Sequence, residues 1–524
     1  MPQLDTFDID VAASVIADIS AGIYRTPAGA IKELISNAFD ADARTVRIST
    51  NWPEFRTITC SDDGSGMTPE VFRKNMGLIG GSSKREGGEQ SPLLHRPLIG
   101  RIGIGILSIG QICRRFQVFS SAQGSRQKFR ATIDLEPYMR PEAKRVHLGA
   151  TVGTDATVKI GSCSIETADE DADRSYTRIV MESILVPFRQ RLRDEPMAAA
   201  AMTPKRFVTG DMTHFLKSVS KSTIAEHGAY ASLIWELAAA APVRYLPGGP
   251  VRGTGEISDL VRRLEEFDFH VFLDGVELLK PVLLPTPTTV NHKVYPNLDF
   301  SRRLSDGRNL RVRGYLCWQK TRIRPRELQG VLVRVRNVAI NGYDPNFLGY
   351  PRHEGWKFSQ LSGELYVDEG LDEAVNIDRA SFRETDEAYL ALQDALFARL
   401  GKRTDEGKGV FTSIKAFRKV ALDRKKETAR QQRARAFGRA VFGREGPAEV
   451  RVGPSDKGSP SGVSVKGRRI VVDEALVVRI PARHRELFLA SCGLIENMLG
   501  ARTGAAARRL LFEQLAAVFA SFGA

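Results

Sequence analysis

The chain has 524 residues, 42% of them hydrophobic, which is several times the length of an ordinary domain and apolar enough for more than one buried core. No run of about 18 apolar residues occurs, and the start MPQLDTFDID is acidic where an export signal is basic and then apolar, so the expectation is a soluble, cytoplasmic protein with no membrane partner. The net charge of +14, with a pI near 9.6, favours an anionic partner, while Cys60, Cys113, Cys163, Cys317 and Cys492 stand singly, without zinc-site spacing or the density of a disulfide framework.

Thr26-Pro27 has the form of a helix start, and AGAIKELISNAFDADA follows with helical spacing that puts Ile31, Leu34, Ile35 and Ala38 on one face. Glu33, Asn37 and Asp40 fall at i, i+4 and i+7 on a second stripe. Such a stripe is ordinarily a helix's solvated face. This one has chemistry to offer, because a carboxylate one turn from a carboxamide suits activation of a water and ligation of Mg²⁺, two tasks of phosphoryl transfer to water.

VRIST and RTITC alternate like strands around the turn-prone NWPEF, so SDDGSGM begins where a strand ends. A carboxylate there, Asp62, can accept from an exocyclic amine, while Gly64 and Gly66 let the backbone and Met67 pass close to a flat base. A plain acidic turn is the alternative. The stretch from Gly77 to Gly105 is glycine-rich and contains Ser82, Ser83 and Lys84, donors suited to phosphate. It ends in Gly100, Gly103 and Gly105 before an apolar run that would open a helix and aim backbone N–H groups at phosphates. Neither GxGxxG nor GxxxxGK[ST] is present. FQVFS, KFRATIDL and GTDATVKI return to strand-like alternation.

Residues 166–265 read as a mostly helical connector. A second strand-rich unit over 266–400 contains FDFHVFLDG, LRVRGYLCW, GVLVRVRNVAI and GELYVDE, closed by the amphipathic ETDEAYLALQDALFARL. A basic helical segment follows at 401–445, where Lys415 to Arg444 is opposed only by Asp423 and Glu427. A linker at 446–468 then leads to a small C-terminal unit at 469–524.

The ordered set KELISNAFDADA, SDDGSGMT, a glycine-rich lid, IGRIGIGILS and GTDATVKI resembles the motifs of the GHKL superfamily of ATPases (gyrase, heat-shock chaperone, histidine kinase, MutL) over residues 20 to 160, in wording nearest the heat-shock chaperone branch. The resemblance implies an α+β protein: a Bergerat-type α/β sandwich ATPase domain at 1–165 with a lid at about 76–105, a ribosomal-S5-like transducer at 266–400, and a small C-terminal α/β unit suited to dimerisation. It implies ATP and Mg²⁺ as ligands, with Glu33 as general base and Asn37 on the metal. Asp62 would hold the adenine amine, Asp40 would support the pocket near the base, and Gly64, Gly66 and Met67 would line it. Thr154 would bond on the adenine side, with Gly100, Gly103 and Gly105 under the phosphates. GELYVDEGLDEAVNIDRASF resembles the chaperone segment whose arginine reaches the γ-phosphate, which maps onto Arg379; related ATPases use a lysine from another loop, which maps onto Lys320.

Two readings of the whole follow. One is an ATP-hydrolysing conformational machine that closes and dimerises on ATP. The other is a nucleic-acid-associated ATPase of MutL, MORC or topoisomerase character, serving DNA repair or antiphage defence, whose Lys415–Arg444 stretch grips DNA or RNA. No DQHAxxE motif appears, so DNA cleavage is not expected, and no histidine precedes the ATP motifs where a sensor kinase would carry its phosphoacceptor.

Overall fold

The structure is a computed structural model that describes residues 4–12, 27–79, 90–100, 105–135, 157–193, 212–219, 223–251, 257–285, 291–296, 298–352, 354–376, 379–401, 409–442, 449–454, 463–466, 469–499 and 503–521. The chain divides into two compact units, residues 1–415 and 416–524.

The first unit opens with strand β1 (Leu4–Ala12), helix α1 (Pro27–Asp40) and the strands β2 (Thr45–Ser49) and β3 (Ile58–Asp62). Helix α2 (Pro69–Gly77), the short β4 (Leu78–Ile79) and a 3-10 turn at Gly105–Gln111 come next, where the sequence suggested an α-helix. Strands β5 (Cys113–Ser121), β6 (Gln127–Asp134), β7 (Thr157–Asp169) and β8 (Tyr176–Ile184) follow, then helices α3 (Val186–Arg193), α4 (Met212–Val219), α5 (Ala229–Ala240) and α6 (Ser258–Glu265), and strands β9 (His270–Leu273) and β10 (Val276–Glu277). All ten strands form one sheet, in the order β10-β9-β2-β3-β8-β5-β6-β7-β1-β4.

This sheet moves two sequence-based boundaries. Residues 176–184, read as connector, form β8 and lie between β3 and β5. FDFHVFLDG, expected to open the second unit, supplies β9, which runs parallel to β2. Asp274 fixes that placement by accepting from Thr50 N (2.7 Å), Thr50 Oγ1 (2.6 Å) and Tyr230 Oη (2.6 Å). Alternation identifies a strand and its inward face, but not the sheet it joins.

A second, six-stranded sheet contains β11 (His292–Tyr295), β12 (Phe300–Arg303), β13 (Asn309–Gln319), β14 (Gly330–Val335), β15 (Val338–Ala339) and β16 (Leu361–Glu369). The order is β11-β13-β16-β14-β15, with β12 also on β13, and β14 runs parallel to β16. Helix α7 (Glu387–Leu400) is capped by Asp386, whose side chain accepts from Ala388 N. Helix α8 (Val410–Phe442) begins in this unit, with Val410, Phe411 and Ile414 buried.

One apolar core runs through both sheets, from Ile31, Leu34 and Ile35 of α1 to Tyr315, Cys317 and Tyr366 of the second sheet. A polar cluster is enclosed in the second sheet. Arg334 and Glu364 are wholly buried, with Arg334 Nε 2.9 Å from Glu364 Oε1, while Tyr315 Oη donates to Glu364 Oε2 at 2.6 Å and Tyr245 Oη also donates there. Burial alone would raise the Glu364 carboxyl, but Arg334 and the two hydroxyls hold it below its usual value.

In the second unit a three-stranded sheet of β17 (Glu449–Val452), β18 (Val463–Lys466) and β19 (Arg469–Val472) has the order β17-β19-β18. Helices α9 (Glu474–Val478), α10 (Arg485–Leu499) and α11 (Ala505–Ser521) share a small core with it, built on Val472, Phe488, Cys492 and Phe512. All five cysteines are buried and free. No helix among the described residues is long and apolar enough to cross a membrane.

Candidate functional site

Helix α1 packs on α5 and on the Gly105–Gln111 turn, and its polar stripe is not a solvated face. Glu33 is only 6% exposed, and Lys32 and Ser36 are also buried, while Asn37 and Asp40 are half-buried. A carboxylate in such a setting is normally paired. Yet among the described residues Glu33 Oε1 has no hydrogen-bond donor, and Arg379 Nε stands 3.8 Å from it. Arg379 follows the second sheet, and its own carbonyl accepts from Lys32 Nζ at 3.2 Å.

Asp40 closes the stripe one turn on. Its Oδ1 accepts from Ile99 N at 2.7 Å and its Oδ2 from Gly100 N at 2.6 Å, so the carboxylate fixes the backbone where the glycine run begins. The carbonyls of the same two peptide units point to the second sheet: Leu98 O accepts from Arg336 Nη1 at 2.7 Å, and Ile99 O accepts from Arg379 Nη2. Asp40 is therefore tied to the start of the glycine run. Asp42 anchors the preceding turn, accepting from Leu93 N (2.9 Å) and Leu94 N (3.1 Å).

The two aspartates at the end of β3 have different tasks. Asp63 Oδ1 accepts from Arg44 N and Thr45 N, both at 2.8 Å, and is a loop anchor. Asp62 accepts from Gly64 N at 3.0 Å. Burial pushes its carboxyl up to about 7, opposed by the Gly64 N–H, reinforced by the charge of Asp63 and opposed again by the Thr177 N–H. Thr177 lies directly across the strand pair from Asp62. Gly66 adopts φ +64°, and a Cβ there would stand 1.8 Å from Ser121 O, so both conformation and space require glycine. Met67 N then donates to Ser120 Oγ at 2.9 Å, and Met67 packs on the core.

Glu33, Asp40, Gly100 and Arg379 are thus joined by direct contacts, with Asn37 on the same helix. Lys320 is exposed after β13, and none of the described contacts ties it to Glu33. Ser82, Ser83, Lys84, Gly103 and Thr154 lie outside the described residues, and Gly105 opens the 3-10 turn. Sequence reasoning missed Arg336 and Thr177. Arg336 sits with Asn337 in the two-residue turn between β14 and β15, at φ +51° and +69°, where an Arg-Asn pair carries no signal of a distant carbonyl. Thr177 needed the register of β3 against β8.

Residues 24–159 match the family described as histidine kinase-, DNA gyrase B- and HSP90-like ATPase. The chain carries a GHKL ATPase domain. Within it lie the buried Glu33, the Asp40 contacts and the Asp62 turn. Among its relatives, the chaperone protein HtpG of Natranaerobius thermophilus is 27% identical over 194 residues, 33% of this chain and 30% of that protein. A putative type II restriction enzyme, HgiDII of Herpetosiphon aurantiacus, is 31% identical over 118 residues, and the DNA mismatch repair protein MutL of Caulobacter vibrioides is 30% identical over 118, each match covering 22% of this chain and 18% of the relative. The chain therefore spans less than a third of the length of these relatives. The GHKL domain is shared with both the chaperone and the mismatch-repair proteins, and neither branch is favoured over the other.

Proposed function

We propose that this chain binds ATP with Mg²⁺ and hydrolyses it to drive a conformational change. The observation that carries the reading is Glu33: a buried carboxylate whose Oε1 lacks a hydrogen-bond donor among the described residues and faces an arginine from the segment after the second sheet. Asp62 accepts from the exocyclic amine of adenine, Met67 and the Gly64–Gly66 turn flank the base, and Thr177, with Thr154 as the alternative, offers a hydroxyl nearby. Asn37 would hold the Mg²⁺, which would neutralise charge at the phosphates.

Glu33 takes a proton from the attacking water as its oxygen bonds to the γ-phosphorus and the bond to the β-phosphate oxygen breaks. Arg379 balances the charge on the transferred group with a permanent, forked cation. On this reading the ten-stranded sheet is a Bergerat-type fold, the six-stranded sheet is an S5-like transducer, and the second unit supports ATP-dependent dimerisation. Glu33→Ala should bind a non-hydrolysable ATP analogue as the wild type does and lose turnover; wild-type turnover in this variant would remove Glu33 from the role.

A second reading, a nucleic-acid-associated ATPase, is supported by α8. Lys415, Arg418, Lys419, Arg424, Lys425, Lys426, Arg430 and Arg433 are all exposed along it, and a basic helix of this length suits a phosphate backbone. The names of two relatives, a DNA mismatch repair protein and a putative restriction enzyme, point the same way.

A further inference from the structure

Two consecutive peptide units, Leu98–Ile99 and Ile99–Gly100, are held at both ends. Their N–H groups go to the two oxygens of Asp40, and their carbonyls go to two arginines, Arg336 for the first unit and Arg379 for the second. A peptide plane fixed at its N–H alone can still pivot; fixed at N–H and C=O it cannot. Because the two units adjoin, the direction in which the chain enters the glycine run at Gly100 is set jointly by α1 and by the second sheet.

Arg336 is built for this task. Its Nε donates to Asp372 Oδ1 at 2.7 Å, which orients the guanidinium and leaves Nη1 on Leu98 O. The side chain is largely enclosed, at 11% exposure, so water competes poorly for that carbonyl. Both arginines have left-handed backbone, φ +51° at Arg336 and +47° at Arg379. An ordinary residue adopts that conformation at a cost, and such positions concentrate where geometry serves function. Two of them converge here on adjacent carbonyls.

We propose that Arg336 is a positioning residue for ATP hydrolysis: by holding the Leu98 carbonyl against the pull of Asp40 on the Ile99 N–H, it fixes the path of the chain at Gly100, the point where the glycine run meets the phosphates on the ATPase reading. The proposal rests on the ATPase reading of the site. It differs from the role given to Arg379 because Arg336 acts through the main chain and does not meet the nucleotide. Its loss misaligns the transition state more than it weakens binding of the whole nucleotide, which also rests on the adenine pocket and the metal.

The test uses the full chain, with Arg336→Ala and the milder Arg336→Gln, whose amide still offers an N–H to Leu98 O. Turnover, KM and the Kd of a fluorescent non-hydrolysable ATP analogue are measured with melting temperature. Arg311→Ala, which breaks an exposed ion pair to Glu369 on the same sheet, serves as control. We expect kcat to fall about 10- to 100-fold in Arg336→Ala, the scale of a small misplacement of reacting groups. Kd should stay within about threefold, Arg336→Gln should be intermediate, and Arg311→Ala should be unchanged. Wild-type kcat in Arg336→Ala, or equal losses in kcat and Kd in a folded Arg336→Gln, would overturn the role of Arg336 and leave the ATPase reading standing. A wild-type protein that neither binds nor hydrolyses ATP would overturn both.

Discussion

Arg379 Nε stands 3.8 Å from Glu33 Oε1, and the carbonyl of the same arginine accepts from Lys32 Nζ, so two adjacent residues of α1 hold one residue from beyond the second sheet. The base proposed for water activation and the cation proposed for the γ-phosphate are thus neighbours. Arg379→Ala should lower kcat about 100- to 1000-fold, the scale of removing a preorganised charge from a transferring group. Nucleotide Kd should change only severalfold. Lys320→Ala, by contrast, should keep wild-type turnover. Steady-state kinetics of the two variants decides between them, and the reverse outcome would give the role to Lys320.

If Asp62 holds the adenine amine, nucleotide binding should depend on pH. Its folded value of about 7 lies above that of an unfolded aspartate, so the carboxyl is partly protonated near neutrality. Accepting from an amine requires the ionised form. ATP affinity should therefore weaken about tenfold for each pH unit below 7. Calorimetric titrations at pH 6, 7 and 8 test this, and a flat profile would remove Asp62 as the acceptor.

The same group has the opposite effect on the unliganded fold. A raised folded pKa contributes stability that is complete below the unfolded value and is lost as pH rises through about 7. Asp62→Asn should thus bind ATP poorly yet melt higher than the wild type at pH 8, by up to roughly 4 kcal/mol. The advantage should shrink towards zero near pH 4. Equal melting temperatures at both pH values would contradict the burial argument.

Gly66→Ala should be among the costliest single-methyl additions in the domain. The new Cβ would meet Ser121 O at 1.8 Å, in a backbone conformation that already disfavours it. The turn must move away from the end of β5, and the Met67 N–H must leave Ser120 Oγ. We expect a loss of a few kcal/mol in stability, on the order of other overpacked sites, together with weaker ATP binding, read from thermal melts and titration.

If α8 grips nucleic acid, neutralising Arg430, Arg433 and Arg435 should weaken binding of duplex DNA at every sequence. The slope of log affinity against log salt should become shallower by about one for each phosphate that is no longer neutralised. Fluorescence anisotropy at several salt concentrations measures this. An absence of wild-type binding at low salt would set the second reading aside.

Much of the local structure around α1 and Asp62 was legible in the sequence. The spacing of Ile31, Leu34, Ile35 and Ala38 defines the inner face of α1, and alternation in VRIST and RTITC defines the hairpin that ends at Asp62. What that spacing could not show is that α1 is enclosed on its other side too, which turns Glu33 from a surface residue into a buried one. β8 was hidden because YTRIVMESI lacks strict alternation, and the sheet of β9 because its partner β2 lies far back along the chain. Arg336 had no local signal, because its target is a main-chain oxygen brought near by tertiary folding alone.

The buried Arg334–Glu364 pair and the core that runs from α1 to Tyr366 bear on how the first unit can be studied. Tyr245 Oη, from the segment after α5, donates to Glu364 inside the second sheet. A fragment cut between the two sheets would part Glu364 from the Tyr245 hydroxyl and open the shared apolar core to water. The ten-stranded half should therefore resist isolation, and heating should melt residues 1–415 as one cooperative block, with a single calorimetric transition in which loss of the first sheet and loss of the second coincide.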